Sequence, residues 1–559
     1  MQPQLVVIGF ILLIILILVV IEIYGRIKLK KLVQDKWGKL PRSQKLDQEA
    51  SLNDARNKAK AYRTYDSEID DITWYDLDGI AVFDQINATY SSVGSEALYQ
   101  RLRNFNLTNE NQDRLESLIQ YYQENPTSRE EIQYQFAYLG KKDHNHVESY
   151  LNETKNQELG NTSFFVFLGI LPILLLLTLF ILPKAITVLL LIGSMLFNVI
   201  YYRAKKEALE RELACMSYLV RSIATAKKIA KVATPFQSEL KTNLKKIVSI
   251  TKFGISFRIK SDSEAELFFD YISMMFMLPF ISYHVVLDKI IHYEHEAKEV
   301  WRLLGELEVA AAVLNYRIYM PDTCQPIFTE EIAVDGTEVY HPLLATPVPN
   351  DVAWTKNTLV TGSNASGKST YVKSIAISCM LASTINTALA LTFSLPRGHI
   401  LTSMAVEDDI FEGDSYFIAE IKSVKRILDL VEKGEPCLCF IDEILKGTNT
   451  IERIAASSGM ISWLQPYQAL AFVATHDIEL TEILKEYCTN VHFEEQVTKE
   501  KGVTFDYLLR QGPSTSRNAI QLLQVLNYPH EVVNRAKAEA HYFDAHRTWQ
   551  VINGKNQPD

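Results

Sequence analysis

The chain has 559 residues and a mass of 63.8 kDa, a length that at ~150 residues per domain allows three or four domains. Hydrophobic residues make up 47% and charged residues 22%, enough for several buried cores, and wholesale disorder is excluded. With 57 basic and 67 acidic side chains the net charge is -10, which argues against nucleic-acid binding through bulk charge and leaves that role to a local basic patch.

The first predicted element is a membrane helix. Leu5 to Ile21 are all apolar, no charged side chain precedes them, and Arg26, Lys28, Lys30 and Lys31 follow. A cleavable signal peptide has the opposite order, with basic residues first and small residues at a cleavage site. The basic flank places the N-terminus outside and the following residues in the cytoplasm. Two further charge-free runs, Leu159 to Pro183 and Ala185 to Tyr202, are each long enough to cross ~30 Å of hydrocarbon. A tight turn at Pro183 and Lys184 joins them, and Arg203, Lys205 and Lys206 close the hairpin on the cytoplasmic side. The expected location is therefore the cytoplasmic membrane, multi-pass, with three transmembrane helices.

Residues 26–160 open with a polar stretch, then become periodic, with Leu98, Leu102, Leu115 and Leu118 at helical spacings. Asp66, Glu68, Asp70 and Asp71 read as a solvated acidic face. Residues 203–260 hold 14 Lys and Arg against four Glu. Two readings stand for this basic segment: contact with anionic lipid beside the membrane, or contact with nucleic-acid phosphates. Residues 265–318 read as strongly helical, with an amphipathic run through Leu303, Leu304, Leu307, Val309 and Leu314.

Thr358 to Thr361 form a short apolar strand that runs into Gly362, Ser363, Asn364, Ala365, Ser366, Gly367, Lys368, Ser369 and Thr370, a full match to GxxxxGK[ST]. Its glycines let the backbone curl so that amides point at phosphate oxygens. Lys368 neutralises the β- and γ-phosphates, and Ser369 completes a Mg²⁺ shell. A helix from Tyr371 towards Ala390 would set its N-terminus against the anion. Cys437 to Ile441 form a buried strand that ends in Asp442, a second Mg²⁺ ligand, and Glu443, which would polarise the attacking water. A third strand, Ala471 to Thr475, delivers His476, either to sense the γ-phosphate and position water or as a satisfied loop histidine. The six cysteines show no CxxC spacing, so a disulfide framework or zinc knuckle is not expected and a reducing compartment fits. Cys437 and Cys439 read as core.

These residues resemble the MutS family of DNA mismatch-repair ATPases over roughly 338–540. His341 to Leu344 with Pro349 to Asp351 resemble the family's lead-in strand. Ser403 to Ile410 and Gly413 to Glu420 resemble its signature segment, in which a Ser, here Ser415, reaches the nucleotide of the partner subunit. Asp442 to Ile444 with Gly447 to Asn449 resemble its Walker B region, and Ala474 to His476 its His switch. Ser516 to Ala536 resemble the closing helices that brace the dimer. More weakly, Ser92 to Leu102 and Gly305 to Asn315 are similar to the first and last parts of the family's helical core. The resemblance implies an α/β P-loop NTPase domain of the ABC/MutS type over 336–540, preceded by an all-α helical core. That core would occupy 26–160 and 203–335, interrupted by the transmembrane hairpin 161–202, with a transmembrane helix at 1–25 and a tail at 541–559.

It further implies ATP binding and hydrolysis with Mg²⁺ in a composite homodimer site, and DNA as a partner. The departures bear on the substrate. No counterpart of the mismatch-binding domain stands between the first membrane helix and the core, the DNA clamp is shortened or replaced by 203–260, and Pro347 falls about where the family places an aromatic near adenine. Two function classes follow: a membrane-held ATPase acting on DNA structure or repair, and a membrane scaffold or remodelling ATPase with a lipid or protein partner. An ABC-type transporter ATPase would need an LSGGQ signature, and the sequence has none.

Overall fold

The computed structural model describes residues 3–41, 46–153, 162–178, 181, 184–254, 256–257, 271–320, 322–363, 366–404, 416–498, 502–514 and 519–551. By contact the chain forms two units, one of Met1–Asp66 with Ile80–Pro321 and one of Ser67–Gly79 with Asp322–Asp559.

The first unit is helical. Its principal helices are α1 (Pro3–Lys36), α2 (Ser92–Arg103), α3 (Glu110–Glu124), α4 (Pro126–Leu139), α5 (Thr162–Thr178), α6 (Lys184–Ile229), α7 (Leu278–His292) and α8 (Glu294–Tyr319). The apolar run Leu5 to Ile21 lies within α1, which continues without a break through the basic residues that follow. The centre of the unit is α8, whose apolar face from Val300 to Leu314 is buried. It crosses α2 at two glycines. A methyl group on Gly305 would come within 2.6 Å of Ala97 Cβ, and one on Gly94 would meet the Glu308 side chain. Glu308 is buried at this crossing, and its carboxylate accepts from the Ser91 amide at 3.0 Å and from the Tyr90 amide and Ser91 hydroxyl. Burial pushes its pKa up to about 7, against the pull of these hydrogen bonds. Ser91 also caps α2 by accepting from the Gly94 amide.

The structure revises the membrane elements. Among the described residues one helix is long and apolar enough to span a bilayer, Lys184–Lys206 within α6, whereas α5 has 17 residues. Pro183 lies outside the described residues. The hairpin is also not a pair. Asn198, fully buried, donates to Leu168 O and Met275 O at 2.7 Å each. The Phe280 ring of α7 packs at a tilt against Phe165 and Tyr202, with centroids 5.1 and 4.9 Å away. Residues 271–292 are thus a third packed element, and the helical stretch expected over 265–318 is broken at Tyr293.

The second unit is α/β. A six-stranded sheet has the order β12–β9–β4–β8–β7–β6, with β4 (Asn357–Thr361), β6 (His399–Ser403), β7 (Cys437–Asp442), β8 (Ala469–Ala474), β9 (Cys488–His492) and β12 (Arg510–Gln511). The first five pair in parallel, and β12 runs antiparallel to β9. Strands covered on both faces read as continuous apolar runs, as β7 and β8 do. A smaller sheet orders β1 (Ile327–Thr329), β5 (Thr392–Pro396), β2 (Val334–Val339) and β3 (Asn350–Trp354). His341 to Leu344, expected in a lead-in strand, lie in the turn between β2 and β3. The helices α9 (Lys368–Ile385), α10 (Tyr416–Val431) and α11 (Thr450–Trp463) follow β4, β6 and β7, and a hairpin of β10 (Glu495–Thr498) and β11 (Gly502–Phe505) follows β9. Helix α9 stops short of Ala390 because Asn386 turns into the left-handed conformation.

Of the acidic residues before residue 80, Asp66 and Asp71 are exposed, as a solvated face requires, whereas Asp70 and Asp76 are tied into the fold. Asp70 caps the turn Asp71–Asp76 through the Thr73 amide and pairs with Arg426, and Asp76 accepts from Thr402 Oγ1 at 2.6 Å and Met404 N at 2.9 Å. Trp74 is fully buried beside them.

Candidate nucleotide site

The parallel sheet ends its central strands at one rim, where loops carrying glycines and acids converge. After β4 the chain passes Gly362 at φ 142° and Gly367 at φ 106° before entering α9. A side chain at Gly362 would bring its Cβ to 2.6 Å from Phe493 O, so only glycine fits both the angle and the space. Asn364 and Ala365 lie outside the described residues. Ser366 donates to Ser363 O at 2.8 Å, which holds the loop closed, and Ser363 donates to the Glu495 carboxylate.

Lys368 Nζ folds into this loop, donating to Gly362 O at 2.8 Å and Ser363 O at 2.9 Å. Burial lowers its pKa to about 8, although Asp442, Glu443 and Glu495 pull the other way. Ser369 Oγ donates to Asp442 Oδ2 at 2.7 Å. Two hard oxygens thus stand together between the start of α9 and the end of β7, a donor set that suits Mg²⁺ supplemented by phosphate oxygens and water.

Glu443 follows directly at φ 61°, a left-handed conformation that costs about 1–3 kcal/mol in a residue with a Cβ. Its own amide donates to Ala474 O at 2.9 Å, and Glu420 accepts from Lys446 N at 2.8 Å, so the neighbouring strand and α10 hold the turn. His476 Nε2 stands 2.9 Å from Glu443 Oε1 and 3.4 Å from Lys368 Nζ. For Glu443, burial alone would raise the pKa, but the bond from His476 with the charges of Lys446 and Lys368 brings it below the usual carboxylate value. An ionised carboxylate is what water activation requires. His476 is placed in turn by the residue after it, since Asp477 accepts two bonds from Arg453 at 2.7 and 2.5 Å.

Beside the loop lies a cavity of about 450 Å³, reached by Gly367, Lys368, Ser369 and Thr370 and walled further out by His341, Pro347, Tyr371, Phe493 and Tyr507. Its size suits a nucleotide. Burial, reinforced by Lys373, lowers the His341 pKa to about 4, so this wall is neutral at physiological pH.

Residues 358–544 match the family description MutS domain V. The match covers about a third of the chain, and over it the sequence is similar to the MutS family. The chain is 29% identical over 246 residues to the DNA mismatch repair protein MutS of Thermus thermophilus, covering 43% of this chain and 30% of that protein. The Thermus aquaticus protein of the same name is 28% identical over the same length. Human MutS protein homolog 4 is 30% identical over 236 residues, or 25% of its length. The chain thus spans less than a third of the relatives it matches.

Within the matched segment the structure brings together Gly362, Ser363, Ser366, Gly367, Lys368, Ser369, Thr370, Asp442, Glu443 and His476. Ser415, with the signature segment 405–415, lies outside the described residues. Four participants were missed in the sequence. Glu495, Arg453 and Tyr507 come from distant segments and carry no local motif, whereas Asp477 adjoins the His476 strand end and was within reach. Beside Pro347 the cavity is lined by three aromatic rings, Tyr371, Phe493 and Tyr507, the last from the loop after β11. Cys437 and Cys439 are buried, with thiol pKa values pushed up by that burial, in keeping with a core role.

Proposed function

We propose that the chain is a membrane-anchored ATPase that binds and hydrolyses ATP with Mg²⁺ in a site completed by a second copy, and that couples this cycle to a conformational clamp on DNA. The observation that carries hydrolysis is the convergence on one rim of Lys368, the Ser369–Asp442 pair and the Glu443–His476 pair. In this reading the loop amides and Lys368 hold the β- and γ-phosphates, and Tyr507 and Pro347 flank the base. Glu443 accepts a proton from the attacking water, and His476 keeps Glu443 ionised and aimed. When bound, Mg²⁺ held by Ser369 and Asp442 would neutralise charge on the phosphate oxygens.

Substituting Lys368→Ala should abolish tight nucleotide binding, whereas Glu443→Gln should bind ATP and retain it unhydrolysed. Turnover in Glu443→Gln equal to the wild type would remove Glu443 as the base.

DNA as the partner is supported by the mismatch-repair relatives and by the basic segment 203–260. A second reading, lipid or protein as the partner, is favoured by the exposed apolar side chains of Lys184–Lys206. The two readings differ in a measurable slope. Neutralising several phosphates makes DNA affinity fall steeply with salt, so binding by the full chain in detergent should weaken at least tenfold between 50 and 200 mM salt. An absence of DNA binding at low salt would leave the lipid or protein reading.

A further inference from the structure

The helical unit holds a second cavity, of about 550 Å³, far in sequence from every residue of the nucleotide site. One wall is the C-terminal part of α1. Lys28, Lys31, Leu32, Asp35 and Lys36 recur there at intervals of three and four and so share a face. Lys39 continues that wall, while Asn87, Tyr90 and Gln133 stand across from it. Four lysines therefore meet a single acid, Asp35. Among the described residues the ammonium groups of Lys28, Lys31 and Lys39 have no ion pair or hydrogen bond.

The cavity is built, not incidental to a loose end. The chain leaves α1 through Gly38 at φ 71°. Asn315 of α8 holds this turn from both sides, accepting from the Gly38 amide at 2.7 Å and donating to Lys39 O at 3.1 Å. The Arg129 guanidinium lies 3.6 Å from the centroid of the Trp37 ring, which also faces the cavity. Such fixing holds the backbone that carries the lysines, so a ligand need order only their side chains.

What lies above them points to the ligand. Leu16, Ile17, Val20, Ile21, Tyr24 and Ile27 of the same helix are all exposed. Lys28 stands four residues beyond Tyr24, or ~6 Å along the helix axis. Apolar surface, then an aromatic, then lysines is the order met on leaving hydrocarbon for the headgroup layer. We propose that this cavity binds a phosphate-bearing anion, and that its source is the headgroup of an anionic phospholipid. Lys28, Lys31 and Lys39 meet the phosphate, and Leu32 and Leu40 line the approach. The lipid source rests on the membrane reading of α1, whereas the anion site itself does not.

The test uses the full chain in a zwitterionic detergent, titrated with short-chain phosphatidylglycerol, short-chain phosphatidylcholine and inorganic phosphate. The expected result is saturable binding of about one phosphatidylglycerol per chain, at least tenfold tighter than phosphatidylcholine. The triple variant Lys28→Gln, Lys31→Gln, Lys39→Gln should weaken it at least tenfold. A control with the same charge change outside both the cavity and the basic segment 203–260, at the exposed Lys356→Gln, Lys433→Gln, Lys485→Gln, should stay within about twofold. Unchanged nucleotide binding and circular dichroism in the cavity variant would show that it is folded. Equal losses in both triple variants, or no loss in the first, would overturn the site. Displacement by inorganic phosphate at the same concentration as phosphatidylglycerol would overturn the lipid as the source. Because no bilayer is used, failure of α1 to insert would leave these results unaffected, so the two readings fail separately.

Discussion

Lys368 gives up water for two backbone carbonyls, and burial brings its pKa to about 8. A nucleotide phosphate adds negative charge beside it and should restore the protonated form. The sign follows: below about pH 8 the group is charged with or without ligand and affinity is flat, whereas above it binding must take up a proton. Affinity should then fall by up to ~10-fold per pH unit. Calorimetry at pH 8.5 in buffers of different ionisation heats should register uptake approaching one proton, and no uptake would contradict the assignment. His476 offers a complementary case. Its shorter contact, 2.9 Å, is with Glu443, the proposed base, and its approach to Lys368 Nζ of the phosphate loop is longer, 3.4 Å. His476→Ala should therefore lower turnover by ~10-fold or more while leaving nucleotide affinity within a few-fold; equal losses in both would assign His476 to binding.

Among the elements, the crossing of α2 and α8 is set by what is missing from two side chains. At Gly305 a methyl group would sit 2.6 Å from Ala97 Cβ, so Gly305→Ala forces the helices apart at a cost of about 1–3 kcal/mol. The expected readout is a lower melting temperature, and an unchanged one would mean that the helices separate freely. Helix α2 also carries a buried acid, Glu96. Burial raises the Glu96 pKa to about 8 against one bond from Asn145, with Glu148, Asp47 and Asp54 adding to the rise. A carboxyl that binds its proton more tightly when folded makes stability fall as pH rises, here from the unfolded value near 4.5 to about 8. Glu96→Gln should flatten the loss of melting temperature between pH 5 and 8, and a slope identical to the wild type would count against the burial argument. The charge-free runs were legible as apolar helices, of which one among the described residues, Lys184–Lys206, is long and apolar enough to cross a bilayer. The packing of 271–292 onto them was not, because it depends on Asn198 finding a carbonyl 77 residues away.

For the whole molecule, the proposed function has the nucleotide site completed by a second copy. If Ser415 of one copy closes the site of the other, turnover should rise with protein concentration, and Ser415→Ala should reduce hydrolysis more than binding. Mixing Ser415→Ala with Lys368→Ala subunits should restore roughly one working site per mixed dimer, since each mutant supplies what the other lacks. A Ser415 that merely capped α10 would cost ~1 kcal/mol of stability and leave the rate per folded molecule unchanged. No recovery on mixing, with turnover independent of concentration, would rule out the shared site.

The phosphate loop, the acidic pair after β7 and His476 were determined by the sequence alone. Each is a short segment whose chemistry is carried by adjacent residues, and the strand that delivers it is apolar throughout. The parallel sheet was legible for the same reason, since strands covered on both faces leave no alternation to misread. Tertiary structure decided the rest. It gave Glu495 to Ser363, Arg453 to Asp477 and Tyr507 to the wall of the cavity, and it drew Ser67–Gly79 into the second unit through Asp70 and Asp76. It also turned an ordinary run of lysines after an apolar helix into one wall of a cavity. In every one of these cases the partner lies at least 24 residues away, and periodicity in a sequence reports which side of an element is buried, never what it is buried against.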